Sequence, residues 1–154
     1  MEKLLVSLQR DYPHLQFQPA KTFYWSPKQQ AVFYNPLASD TTRGTWSLLH
    51  ELAHGLLAHQ DFTSDFELLQ IEIEAWEKAK IIASKYDVRI DEDHIQDCLD
   101  TYRDWLYARS SCPQCTACGI QTQRHTYHCL NCGGEWRVSQ SRLCRPYRRK
   151  VATS

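Results

Sequence analysis

Five of the seven cysteines in this 154-residue chain lie between residues 112 and 132, and this clustering constrains the fold more than any other feature. Cys112 and Cys115 form one CxxC knuckle, and Cys129 and Cys132 form a second one. Each knuckle can direct two thiolates at one ion, and two knuckles complete a tetrahedral zinc site with Zn–S distances of about 2.3 Å. The pattern therefore predicts a β zinc ribbon that holds a structural Zn²⁺ ion.

Cys118 leaves the ligand set open, because Cys115 and Cys118 have the spacing of a knuckle as well. We favour Cys112, since a proline follows it and the spacer of residues 116–128 then fits a zinc ribbon; Cys118 would be a spare thiol. A redox CxxC pair would need only one such motif. A closed four-thiolate site has no open position, so this zinc should contribute folding energy to a module too small for a core of its own.

A second metal motif, HExxH, occupies residues 50–54 in a segment with leucines at helical spacing. His50 and His54 lie on one face of such a helix, so both imidazoles can reach one Zn²⁺ at about 2.0–2.1 Å. Glu51 lies beside them, where its carboxylate can act as general base toward zinc-bound water. This motif predicts a catalytic zinc site, which needs a third protein ligand and keeps one open position.

The third ligand is expected from the next helix, which carries Glu72, Glu74 and Glu77. Helical periodicity alone does not decide between Glu72 and Glu74. His59 follows His54 too closely for the longer HExxHxxGxxH pattern, and we expect it to be structural or solvent-exposed.

The residues HELAH at 50–54, followed by a helix that contains Glu-x-Glu-Ala at 72–75, resemble the ImmA/IrrE-type zinc metallopeptidases. These are zincins whose third ligand is a glutamate, and the resemblance covers about residues 22–83. It implies that Glu74, the glutamate before the alanine, is the third ligand, with Glu72 as the alternative. It also implies hydrolysis of protein substrates, often regulatory proteins such as repressors.

A weaker similarity is to SprT/Spartan-like proteases, which pair HExxH with a zinc ribbon and act on DNA-bound proteins. That family uses a third histidine downstream, and here His59 is too near and His94 is far along the chain. The rival from another functional class is a non-catalytic, zinc-containing DNA-binding regulator or interaction scaffold that retains the zincin fold.

Apolar periodicity and turn residues predict an α+β fold. A hairpin is expected within residues 21–35, and helices are expected at about 2–10, 45–59, 66–86 and 92–108. With the resemblance, residues 1–110 are predicted to form a zincin-like metallopeptidase core of helices and a short antiparallel sheet. Residues 111–154 are predicted to form the zinc ribbon with a basic carboxy-terminal tail.

Charge is divided unequally along the chain, although 18 basic and 18 acidic residues give a net charge of zero. Residues 1–110 contain 11 basic and 17 acidic side chains, whereas residues 111–154 contain 7 and 1. The cations of the ribbon and tail, interleaved with Trp136 and Tyr147, suit phosphate contacts and base stacking; they are Arg137, Arg142, Arg145, Arg148, Arg149 and Lys150. A nucleic acid is one predicted partner, and docking on the acidic part of the chain or on a protein substrate is the alternative.

The amino-terminal apolar run is interrupted by Ser7, Gln9 and Arg10 before a signal peptide could form, and no segment approaches the roughly 18 apolar residues of a membrane span. We therefore expect no membrane partner and a cytoplasmic location. Clustered rather than dispersed cysteines also favour metal ligands over disulfides. The 42% hydrophobic content excludes a disordered chain.

Overall fold

The computed structural model describes residues 2–38, 40–140 and 148–151. Over these residues the chain is α+β, with four helices and two small sheets. The helices are α1 (Glu2–Asp11), α2 (Thr42–Leu56), α3 (Asp65–Ser84) and α4 (Glu92–Ser110). The strands are β1 (Gln16–Pro19), β2 (Tyr24–Ser26), β3 (Ala31–Tyr34), β4 (Ile120–Gln123), β5 (Thr126–His128), β6 (Glu135–Val138) and β7 (Arg148–Lys150).

The chain divides into two compact units. The first unit comprises Met1–Asp61 and Ile71–Ile95, and the second unit comprises Phe62–Gln70 and Gln96–Ser154. The division falls within α3 and α4, and the predicted boundary between residues 110 and 111 lies inside the second unit. Because a domain is defined by independent folding, that boundary stays a prediction. None of the helices in the described part of the chain is long and apolar enough to span a membrane.

The sheet of the first unit has the strand order β1-β3-β2. β2 and β3 form the predicted antiparallel hairpin, in which Trp25 lies opposite Val32. β1 pairs in parallel with β3, so the sheet is mixed rather than purely antiparallel. β1 escapes prediction because Phe17 is the one large apolar residue in its Gln-Phe-Gln-Pro sequence, and such a polar segment has low strand propensity.

Helix α2 packs against β2 and β3 and carries the HExxH motif. It begins at Thr42, three residues before the predicted start at about residue 45, because the Thr41 side chain caps it by accepting a hydrogen bond from the Gly44 N–H at 2.9 Å. The helix approaches the sheet closely at Gly55, where a Cβ would lie 3.0 Å from the Trp25 ring, tighter than an ordinary van der Waals contact. The buried face of α2 includes Leu48, Leu49, Leu52 and Ala53.

The second unit contains the antiparallel sheet β4-β5-β6-β7. Its core consists of Tyr127, Trp136 and Val138 packed with Cys112 and Cys129. The Tyr127 and Trp136 rings stack with their centroids 5.6 Å apart, and the buried Trp136 indole donates a hydrogen bond to the Arg109 carbonyl oxygen. The aromatic residues that flank the cysteine knuckles therefore supply most of the apolar volume of this small core.

Two candidate metal centres

The first candidate centre lies between α2 and α3 in the first unit. The Nε2 atoms of His50 and His54 are 3.0 Å apart, and the Glu72 carboxylate lies 3.2 Å from His50 Nε2 and 3.6 Å from His54 Nε2. Each of the three residues is only 7% exposed. Two imidazole nitrogens and a carboxylate oxygen thus converge within 4.8 Å of one another, as they would around one ion.

Helical register selects Glu72 for this group. Ala75 and Ala79, three and seven residues further along α3, are fully buried, so Glu72 lies on the inward face of the helix. Trp76 lies on the same side, and its ring centroid is 4.1 Å from that of His50. The packing of α3 against the His50 ring therefore places the Glu72 carboxylate beside the imidazoles.

Glu74, the ligand implied by the family resemblance, lies outside this group. Positions 72 and 74 are about 200° apart around a helix, so both cannot face the histidine pair. The Glu74 side chain is 63% exposed, and its carboxylate lies 3.5 Å from His59 Nε2. The structure places the alternative, Glu72, beside the histidine pair, whereas Glu74 lies beside His59, outside the ligand group.

His59 was expected to be structural or exposed, and its side chain is only 10% exposed. Its Nδ1 atom lies 2.9 Å from Nδ1 of His54. The sequence spacing gives no indication of this contact, because it depends on the way the chain reverses after α2. His94, the residue considered for the SprT-like alternative, packs against the rings of Trp46 and Trp76 and is not in the ligand group.

Burial sets the protonation of the groups around the first centre. It lowers the pKa of His54 to about 3, with further lowering by His50, so the imidazole is neutral and able to bind a metal. Burial also raises the pKa of Glu51 to about 6; His50 and a backbone N–H from Trp25 oppose this rise, while Glu72 adds to it. A carboxylate with such a pKa is suited to exchange protons near neutral pH.

The second candidate centre consists of the four cysteines predicted from the knuckle spacing. Cys112 Sγ lies 3.6 Å from Cys132 Sγ, and Cys115 Sγ lies 3.5 Å from Cys129 Sγ. All four sulfur atoms lie within 4.8 Å of one another. Cys118 is exposed, pairs through its backbone with Ser111, and does not belong to this group.

The two knuckles have the same backbone hydrogen bonds, which explains why Cys118 is excluded. In the first knuckle, the Cys112 N–H donates to the carbonyl oxygen five residues later, and the Cys112 carbonyl oxygen accepts from the Thr116 N–H. In the second knuckle, the Cys129 N–H donates to the Gly134 carbonyl oxygen, and the Cys129 carbonyl oxygen accepts from the Gly133 N–H. The turn therefore begins at the first cysteine of each CxxC pair, and Cys118 falls after the first turn has ended. A hydrogen bond from the Asn131 amide, followed by a backbone N–H from Ala117, lowers the pKa of Cys115 to about 6.

The basic residues of the ribbon lie partly outside the described residues, which do not include Arg142, Arg145 and Tyr147. Arg137 on β6 lies directly opposite Arg149 on β7, and both side chains are exposed. Trp136 does not join this surface as predicted, because it is fully buried in the core of the second unit. It therefore cannot stack on a nucleotide base.

The chemistry of the two donor sets differs. Two histidines and a glutamate suit a zinc ion that keeps an open position, whereas four thiolates suit a closed structural zinc site. Both groups are compatible with zinc. Comparisons of the chain with protein-family models, with curated proteins and with solved structures find no match.

Proposed function

We propose that the chain is a zinc-dependent metallopeptidase of the zincin type with a structural zinc ribbon. The observation that carries this proposal is the convergence of His50, His54 and Glu72, with Glu51 adjacent to His50 on α2. The resemblance of the HExxH region to ImmA/IrrE-type enzymes adds regulatory proteins as a substrate class, and the weaker similarity to SprT/Spartan-like proteases adds DNA-bound proteins. The catalytic and structural roles of the two zinc ions follow from their donor sets.

The chain's own groups supply binding and proton transfer. His50, His54 and Glu72 would hold the ion on one side and leave the remaining position to water and substrate. A zinc ion held there would polarise the scissile carbonyl and lower the pKa of a water molecule. Glu51 would accept the proton of that water and return it to the leaving amine, a role favoured by its raised pKa.

Three matched substitutions test the peptidase proposal. Glu51→Gln should retain the zinc and lower peptide cleavage by about 100- to 10,000-fold, the usual contribution of a general base. Glu72→Ala should lose both the first zinc and cleavage, whereas Glu74→Ala should retain cleavage at a reduced level. The assay would use a proteome-derived peptide pool, with new termini identified by mass spectrometry and zinc measured by elemental analysis.

Three outcomes would contradict the proposal or its ligand assignment. Cleavage by Glu51→Gln at the parent rate would exclude Glu51 as the general base, and an absence of cleavage by the zinc-loaded parent would favour the non-catalytic scaffold. Zinc retained by Glu72→Ala but lost from Glu74→Ala would restore Glu74 as the ligand.

We also propose that the ribbon recruits nucleic acid through the surface around Arg137 and Arg149. Like charges directly opposite on neighbouring strands repel each other, and a phosphate placed between them would relieve that repulsion. Lys150 extends the basic character of β7. Arg148 contributes less, because its guanidinium donates a hydrogen bond to the Ser111 carbonyl oxygen at 2.7 Å.

Salt dependence tests the nucleic-acid proposal. Binding of a labelled oligonucleotide, measured by fluorescence anisotropy, should weaken steeply between about 50 and 200 mM salt because counterions are released. Replacing Arg137 and Arg149 together with glutamine should reduce the slope of log K against log salt by about 2. Arg103→Gln on α4, an arginine already paired with Asp100, is the control and should change neither affinity nor slope. A flat salt dependence of the parent would refute nucleic-acid binding.

A further inference from the structure

We propose that His59 and Glu74 form a positioning relay behind His54, which fixes the ring nitrogen that this histidine presents to the metal. This inference rests on the proposed zinc site and assigns a role to two residues outside the ligand group. The contacts run from Glu74 on α3, through His59 after α2, to His54 within α2.

The contact between the two histidines requires a defined arrangement of protons. Nδ1 of His54 and Nδ1 of His59 are 2.9 Å apart, so one must donate a hydrogen bond and the other accept it. Nε2 of His54 faces His50 and Glu72 in the ligand group, and a ligating nitrogen must carry a lone pair. The His54 proton is therefore on Nδ1, and His59 accepts it.

The same reasoning continues outward to Glu74. If His59 accepts at Nδ1, its own proton is on Nε2, and that atom is buried without a hydrogen bond. The Glu74 carboxylate lies 3.5 Å away on an exposed side chain, so a small rotation would bring it into hydrogen-bond range. An unpaired buried N–H is unfavourable, and Glu74 is the acceptor that completes the relay.

The backbone after α2 is built to hold His59 in this place. Ala58 adopts the left-handed conformation, with φ of 53°, and the His59 N–H donates to the His54 carbonyl oxygen at 3.0 Å. The Ala58 N–H donates to the Gly55 carbonyl oxygen, which completes a Schellman ending of the helix. The Trp25 indole also donates to the His59 carbonyl oxygen at 3.0 Å. These bonds return the His59 ring to the helix residue that it contacts.

His50 provides an internal contrast. Its Nδ1 atom is buried without a hydrogen bond, and its ring is held by packing against Trp76. The two histidine ligands are thus oriented by different means, one by an aromatic contact and the other by a polar relay. Metal-ligating histidines commonly donate their second N–H to a group of this kind, which fixes the tautomer.

Zinc affinity and tautomer state test the relay in the full-length protein. His59→Phe should weaken binding at the first zinc site by about 10- to 100-fold, measured by competition with a chromogenic chelator. His59→Gln should restore most of the affinity, because its amide oxygen can accept from His54 Nδ1. Glu74→Ala should lower the zinc affinity by less than His59→Phe does. Glu77→Ala on the same helix is the control and should leave the zinc affinity unchanged, because Glu77 pairs with Lys80. In the zinc-loaded parent, ¹⁵N shifts should show the His59 proton on Nε2.

The outcomes separate this inference from the proposed function. If Glu72→Ala fails to remove the first zinc, the assignment of Glu72 as a ligand of the metal site is refuted. If Glu72→Ala removes it but His59→Phe binds zinc with parental affinity, the relay is refuted and the metal site stands. A proton on Nδ1 of His59 in the zinc-loaded parent would also refute the relay, independently of any variant. Urea unfolding of the metal-free variants distinguishes a lost relay from a lost fold.

Discussion

Thr116 and Gly133 occupy the same position in the two cysteine knuckles, four residues after the first cysteine of each. Both have left-handed backbones, with φ of 63° and 73° respectively. Glycine adopts this conformation readily, whereas a β-branched residue does so at a cost. The second knuckle is therefore relaxed at this position, and the first one retains local strain beside its two cysteines.

Replacing Gly133 with alanine and replacing Thr116 with glycine should change the free energy of unfolding in opposite directions. Gly133→Ala should destabilise the zinc-loaded protein by about 1–2 kcal/mol through backbone strain alone, because a Cβ there meets no other atom within 4 Å. Thr116→Gly should stabilise it by up to about 1 kcal/mol. Urea unfolding at fixed zinc concentration measures both changes. Gly134→Ala is the control, and equal losses for positions 133 and 134 would contradict the strain argument.

Helices α3 and α4 contribute a buried ion pair to the second unit. The Arg109 guanidinium contacts both carboxylate oxygens of Asp65, at 2.6 and 3.3 Å, and also donates to the Ser139 carbonyl oxygen. The Tyr127 hydroxyl donates to Asp65 at 2.6 Å, and together with burial this contact raises the pKa of Tyr127. The core of the second unit is thereby connected to the first turn of α3 and the last turn of α4.

Removal of one partner from this pair should be strongly destabilising. Arg109→Met would leave the Asp65 carboxylate buried without its cation, at a cost of about 3–5 kcal/mol in the free energy of unfolding. The exposed pair of Arg103 and Asp100 on α4 is the matched control, and Arg103→Met should cost less than about 1 kcal/mol. Similar losses for the two variants in thermal or urea unfolding would contradict the assignment of Asp65 and Arg109 as a buried anchor.

Sequence patterns predict some of these elements better than others. The leucine spacing predicts α2, but the helix begins earlier, at Thr42, and ends at Leu56 rather than near His59 because the chain reverses through the left-handed Ala58. One hydrogen bond that supports this reversal, from the Trp25 indole to the His59 carbonyl oxygen, comes from a distant strand and is not encoded in any local pattern. The knuckle spacing identifies all four clustered thiols, whereas the choice between Glu72 and Glu74 depends on which face of α3 packs against His50. Tertiary packing decides that face, so the sequence motif alone does not predict which glutamate lies beside the histidine pair.

At the scale of the whole molecule, the two donor sets predict different zinc lability. We expect two zinc ions per chain, one removed by EDTA and one retained until the second unit unfolds, because zinc held by two histidines and a glutamate would keep an open position, whereas zinc held by four thiolates would not. Elemental analysis before and after chelation measures both. Glu72→Ala should contain only the retained ion, and Cys129→Ser should destabilise the second unit. Loss of both ions from the parent at the same rate would contradict this division.

Trp25 approaches α2 at two points, with its ring at Gly55 and its backbone N–H at Glu51, and its indole donates a hydrogen bond to the carbonyl oxygen of His59 just after the helix. Glu51, which is proposed to transfer the proton, and His59, which is proposed to orient His54, are therefore both hydrogen-bonded to Trp25 on the edge strand β2. A displacement of that strand by a fraction of an ångström would disturb proton transfer and metal geometry together. Under the proposed function, proton transfer by Glu51 and orientation of His54 would therefore both depend on the position of one tryptophan in the neighbouring sheet.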